Sequence, residues 1–132
     1  MRILIAEDDF YCRKLMLACL APLGECDAAT NGQEAFDAFA TGHKEGKPYD
    51  LICLDIMMPE VDGVEALKKI RDMEEGELGI KRRNRCMIIM VTALEDMKMI
   101  MSSYHSLCDA YVMKPIEQRQ LLEQVRQLGF NV

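Results

Sequence analysis

The chain has 132 residues, half of them hydrophobic, which suits one domain (1–132) with a proper core and leaves little room for a second. Its net charge of −6 argues against general affinity for nucleic acid or anionic membrane. No apolar run approaches the roughly 18 to 20 residues of a membrane span, and the first one stops at Glu7-Asp8-Asp9, so it is not a secretory signal core; a cytoplasmic protein is expected. Cysteines at 12, 19, 26, 53, 86 and 108 form no C-x-x-C pair and several lie inside apolar patterns, so reduced, buried thiols are expected. Two histidines without clustered cysteines make no zinc site.

Short β-rich runs alternate with helix-period segments. A strand over 2–6 precedes a helix over 10–20, whose Leu15, Cys19 and Leu20 recur at helical spacing and which stops before Pro22 and Gly24. A weak strand over 25–29 leads through Thr30-Asn31-Gly32 into a second helix carrying Ala35, Phe36, Ala38 and Phe39. A polar loop is expected over 41–48. The run Leu51–Leu54 and the run Met87–Val91 are apolar without alternation, as strands covered on both faces are. Helices are expected from Gly63, over 97–104 and over 116–128, and a last strand over 110–113.

Five β/α units predict a three-layer α/β fold around a parallel sheet. Right-handed crossovers aim all the strands the same way, and ligands bind at the C-terminal edge where strand order reverses. The flavodoxin-like order 2-1-3-4-5 is the leading candidate, with strands 1 and 3 side by side at the reversal. Asp8 and Asp9, Asp55, Thr92 and Lys114 all follow or close the strand runs and so meet at that edge.

Two like charges about 4 Å apart repel by roughly 4 kcal/mol at an effective dielectric near 20. Three carboxylates there need a proton or a cation, and oxygen donors suit Mg2+. Lys114 adds a positive charge for a phosphoryl oxygen and Thr92 a hydroxyl donor. A carboxylate at Asp55, flanked by metal and lysine, can act as a nucleophile on phosphorus. Taken alone, Asp9 reads better as an N-cap of the first helix, but five such residues at four strand ends point to a site.

The pieces Ile3–Asp9, Asp50–Pro59, Asp62-Gly63, Val91-Thr92-Ala93 and Tyr111–Ile116, in this order, resemble the receiver domain of bacterial two-component response regulators over nearly the whole chain. The resemblance implies that Asp55 accepts a phosphoryl group from a sensor histidine kinase or a histidine phosphotransfer protein. It implies that Asp9, Asp55 and the backbone carbonyl of Met57 hold Mg2+, with Asp8 acting through water. Thr92 and Tyr111 would switch together, Lys114 would contact the phosphoryl oxygens, and Lys114-Pro115 would be cis. Tyr111 also reads as an ordinary half-buried strand aromatic. Helix 4, strand 5 and helix 5 would form the output face, for a downstream target, a missing output domain or a weak dimer, the protein otherwise being a monomer.

Met57 and Leu94, two positions after Asp55 and Thr92, are apolar and cannot orient an attacking water, which predicts a long-lived phosphoryl group. Met97, Met99 and Met101 beside Ile100 and Tyr104 read either as core or as flexible partner surface, with Met99 expected to be exposed. The polar stretch 71–85, with Lys81-Arg82-Arg83-Asn84-Arg85, reads as a solvated loop rather than a nucleic-acid patch. An aspartate-nucleophile phosphatase of the haloacid dehalogenase type would carry its nucleophile after strand 1, and a nucleotide binder would need a phosphate-cradling loop there. An adaptor that has lost phosphorylation is the remaining alternative, against which the full set of site residues argues. The reading is therefore a signalling module that assists its own phosphorylation and is not a turnover enzyme.

Overall fold

The computed structural model describes the backbone of residues 1–132 and all side chains except those of Met99, Ile100, Met101 and Ser103. Five parallel strands, β1 (Arg2–Ala6), β2 (Glu25–Ala29), β3 (Leu51–Asp55), β4 (Met87–Thr92) and β5 (Ala110–Met113), form one sheet in the order β2-β1-β3-β4-β5. Five helices alternate with them: α1 (Phe10–Leu20), α2 (Gly32–Lys44), α3 (Gly63–Glu75), α4 (Leu94–Ser103) and α5 (Gln118–Gln127). This is the expected flavodoxin-like order, and its reversal lies between β1 and β3.

The two-residue period of the strands divides the core. Ile3 and Ile5 point to one side with Met16, Cys19, Leu20, Leu121 and Val125, the buried residues of α1 and α5. Leu4 and Ala6 point to the other, against Ala35 and Phe39 of α2 and Leu67 and Ile70 of α3. All five residues of β3 are buried, as suits the strand at the middle of a sheet covered on both faces.

Three of the helix starts at the C-terminal edge of the sheet carry a side-chain cap. Asp9, Asn31 and Asp62 accept hydrogen bonds from Cys12 N, Glu34 N and Glu65 N, satisfying backbone donors that the first turn leaves open. Gly63 permits the closest backbone approach at this edge: a Cβ there would lie 2.0 Å from the carbonyl oxygen of Asp55. Only glycine lets α3 start directly beneath the end of β3.

Several boundaries differ from expectation. The helix α2 runs through Lys44, taking in half of the expected polar loop, because Glu45 and Lys47 still close onto Thr41 and Gly42 carbonyls. The helix α4 starts at Leu94, three residues early, and α5 starts at Gln118, two residues late, after the cis Lys114-Pro115 bond. Leu15, expected in the core, is 41% exposed, and Met16 takes its place. The side chains of Met99 and Met101 lie outside the described residues, while Met97 is half-buried. All six cysteines are free thiols, four of them buried.

Candidate functional site

The end of β1 lies level with the end of β3: Ala6 pairs with Leu54, so the next residues, Glu7 and Asp55, stand side by side. Glu7 and Asp55 are 0% and 2% exposed. With exposed Asp8 they form a group of three carboxylates, one oxygen from each lying within 4.8 Å of the others. Lys114, carried in from the end of β5, puts its Nζ 3.0 Å from Glu7 Oε1 and 3.2 Å from Asp55 Oδ1.

Thr92 ends β4 one residue beyond Val91, the partner of Asp55, and is buried with its hydroxyl donating to Ala93 O at 2.9 Å. The register therefore gathers Asp8, Asp55, Thr92 and Lys114 at one edge, as expected. It does not gather Asp9. That carboxylate caps α1, with Oδ2 accepting from Cys12 N at 2.8 Å, and it lies outside the Glu7–Asp8–Asp55 group.

This corrects the sequence reading by one position. The β1 strand stops at Ala6, so Glu7 is the acid level with Asp55, and Asp9 has already turned into the helix. The signal was available in Asp9's fitness as an N-cap, which leaves Glu7 and Asp8 as the acids free for the site. Glu7 was passed over. Asp9 does serve the site indirectly, since its N–H donates to Glu7 Oε2 at 3.2 Å. Arg13 ties the same turn down by donating to the carbonyls of Glu7 and Asp8 at 2.9 and 3.3 Å.

The electrostatics are unbalanced. Burial pushes the Asp55 carboxyl up to about 7, helped by the neighbouring Glu7 carboxyl and its charge and opposed by Lys114. Burial works the same way on Glu7, but its bonds with Asp55, Cys12, Lys114 and the Asp9 N–H outweigh it and hold Glu7 below the usual range. Below about pH 7 the pair therefore holds a proton, with Asp55 the member whose carboxyl burial raises. Burial works to lower Lys114, yet the two carboxylates raise it to about 12, so it stays charged.

Asp55 Oδ2 is buried without a hydrogen bond, and Glu7 Oε1 has only its ion contact with Lys114. Buried carboxylate oxygens are costly to leave open, and this set has the donor chemistry of a hard divalent cation such as Mg2+. The Glu7–Asp8–Asp55 group therefore fits a metal.

Around the mouth, Met57 and Leu94 are 65% and 68% exposed. Tyr111 is half-buried; its hydroxyl is buried without a hydrogen bond, and burial together with the Cys108 thiol raises its pKa. Tyr111 lines a cleft of about 490 Å³ between β5 and α5, together with Met97, Met113 and Arg119. Among the described residues, no helix is long and apolar enough to cross a membrane.

Comparison with known proteins agrees with this geometry. The family model for the response regulator receiver domain matches residues 3–126. The regulatory protein VanRB of Enterococcus faecalis is 35% identical over 128 residues, which cover 96% of this chain and 51% of that protein. The chain thus spans about half the length of the curated relatives it matches first.

Among solved structures, the receiver domain of Saccharomyces cerevisiae Ssk1, in a co-crystal with the histidine phosphotransfer protein Ypd1, superposes with a TM-score of 0.80. It is 28% identical, with 98% of this chain and 88% of that chain covered. The receiver domain of a Pseudomonas aeruginosa PAO1 sensor histidine kinase, solved with magnesium coordinated in its active-site cleft, shares the fold at a TM-score of 0.72 and 23% identity, covering 96% of this chain and 94% of that one. The relatives reach beyond bacteria, so the bacterial part of the expectation is narrower than the family. The chain belongs to the response regulator receiver domain family.

Proposed function

We propose that Asp55 is a phosphoryl acceptor in two-component signalling, taking its phosphoryl group from the phosphohistidine of a kinase or a phosphotransfer protein. The observation that carries this reading is the buried Asp55 carboxylate, 3.2 Å from the Lys114 ammonium and with its Oδ2 unbonded, inside a group of three acids. An Asp55 oxygen attacks phosphorus, the P–N bond breaks, and the departing imidazole keeps the electron pair and takes up a proton. Lys114 leaves its shared position between Glu7 and Asp55 to pair with a phosphoryl oxygen. Thr92 turns its hydroxyl from Ala93 O toward the new phosphoryl group, and Tyr111 follows inward.

The residues that would hold Mg2+ are Asp8 and Asp55, with the Met57 carbonyl, and Glu7 in place of Asp9 as their buried neighbour. When bound, the ion neutralises the carboxylates and the charge developing on the phosphoryl oxygens. Output would pass through the α4, β5 and α5 face, to a target protein, an output domain or a second receiver.

The test is incubation with acetyl phosphate and Mg2+, read by intact mass. One phosphoryl group that is lost in Asp55→Ala supports the reading; continuous phosphate release would indicate a phosphatase, and no incorporation an adaptor. The exposed apolar side chains of Met57 and Leu94 favour slow hydrolysis, because neither can hold a water by hydrogen bonding. Phosphorylated protein should keep its label for many minutes, and Met57→Asn should shorten that time. Loss within seconds in the unaltered chain would overturn the slow-hydrolysis reading.

A further inference from the structure

The stretch 71–85 departs from the solvated loop expected of it. Its first part is the last turn of α3, where Arg71 and Glu74 are 3% and 2% exposed. Arg71 donates to Leu107 O at 2.7 Å, to Glu74 Oε1 at 2.6 Å, to Cys86 O at 2.8 Å and to Asp109 Oδ2 at 2.9 Å. Glu74 Oε2 accepts from Cys86 N at 2.8 Å, and Asp109 accepts from Ile88 N and Arg85, each at 2.9 Å. The corner therefore consumes its own acids. Leu78 also packs on the core, and Ile80 N returns to Glu74 O at 2.7 Å.

What remains is a rigidly seated basic turn. Lys81, Arg82 and Arg83 are exposed on a single 3-10 turn (Arg82–Asn84) closed by Asn84 N to Lys81 O at 2.9 Å. Among the described residues none of the three forms an ion pair, and Arg82 reaches only the Ser106 carbonyl, at 3.5 Å. Glu75 shares a small cleft with Arg82 but is not bonded to it, and Glu77 stands exposed on the other limb of the loop. Three adjacent unpaired cations on a chain of net charge −6 form a local field of opposite sign.

We infer that the Lys81–Arg83 turn is a docking surface for an acidic segment of a partner protein, at the sheet edge opposite Asp55. Charge complementarity selects such a partner, and the anchored backbone of the turn leaves only side chains to be ordered on binding. A nucleic acid fits less well: the turn spans only three cations, carries no aromatic for base stacking, and sits on an acidic body that repels a long polyanion. Arg82 and Arg85 both bond the Ser106 carbonyl, so the same turn is tied to the segment that leads into β5.

The experiment titrates the full chain with a synthetic Glu/Asp-rich peptide while recording amide chemical shifts. A scrambled-charge basic peptide, a DNA oligonucleotide and phosphatidylglycerol vesicles serve as the other arms. The acidic peptide should shift the amides of residues 81–85 and 106–107, weaken with added salt, and lose about tenfold in affinity in a K81E/R82E/R83E variant. These side chains are exposed, so unchanged far-UV dichroism and thermal midpoint should accompany that loss. Shifts confined to other surfaces, no binding, equal binding by the variant, or tighter binding of the oligonucleotide or vesicles would each overturn the inference.

Discussion

Two buried ionic clusters lie at opposite edges of the same sheet, and they differ in one respect. At the N-terminal corner of β4 and β5 every carboxylate oxygen of Glu74 and Asp109 accepts a bond from Arg71, Arg85 or a backbone N–H. At the C-terminal edge three carboxylates share one ammonium, and Asp55 Oδ2 is left without a hydrogen bond. A saturated network has nothing more to bind and holds elements in place; an unsaturated one is a site waiting for a cation or a phosphoryl group. Chemistry follows the unmet valence rather than the number of charges.

Breaking the saturated corner should cost most. Arg71→Ala strips two buried carboxylates of their main partner and should lower stability by about 3–5 kcal/mol in urea unfolding. A loss below about 1 kcal/mol would mean that the corner is not the closed network described here. Next comes the floor of the open site. Gly63→Ala sets a Cβ 2.0 Å from Asp55 O and should cost about 3 kcal/mol, displacing Asp55 while leaving the amide shifts of the corner unchanged.

A smaller effect separates the clusters by pH. A carboxyl raised from 3.8 to about 7 keeps a proton that the unfolded chain has already released. Over that window the folded state binds more protons, so Asp55 withdraws stability as pH rises. A divalent cation must displace that proton. Mg2+ affinity should therefore tighten with pH, by up to about tenfold per unit below 7, and level off above it. Calorimetric titrations at pH 6 and 8 giving equal affinities would break the proposed competition.

The smallest effect is a gain. Asp55→Asn replaces a repelling carboxyl by an amide that donates to Glu7, and should stabilise the metal-free protein by about 1 kcal/mol at pH 8 while abolishing phosphorylation. Destabilisation would show that Asp55 is already paid for in the resting fold.

Legibility in the sequence followed period and topology. The unbroken apolar runs Leu51–Leu54 and Met87–Val91 marked central strands, and five alternating units were enough to bring Asp55, Thr92 and Lys114 to one edge. Side-chain detail within one or two residues of a strand end was not legible. Whether Glu7 or Asp9 stands beside Asp55 depends on where β1 stops relative to β3, and that is a matter of register between strands far apart in the chain. Leu15 and Met16 posed the same difficulty on a helix, since a rotation of one position exchanges core for surface.

The stretch 71–85 taught the converse. Its composition was that of a solvated loop, and local chemistry alone would keep Arg71 and Glu74 in water. Their partners, Cys86, Leu107 and Asp109, come together only when α3, β4 and the segment before β5 have packed.

By itself, then, the sequence determined the α/β class, the strand order and the edge that carries the chemistry, because hydrophobic period and crossover handedness are local rules that sum to one topology. Only the tertiary structure decided which acids are buried, which are capped and which are left unsatisfied. Desolvation and hydrogen-bond saturation are properties of the packed neighbourhood, and no single stretch of chain contains them.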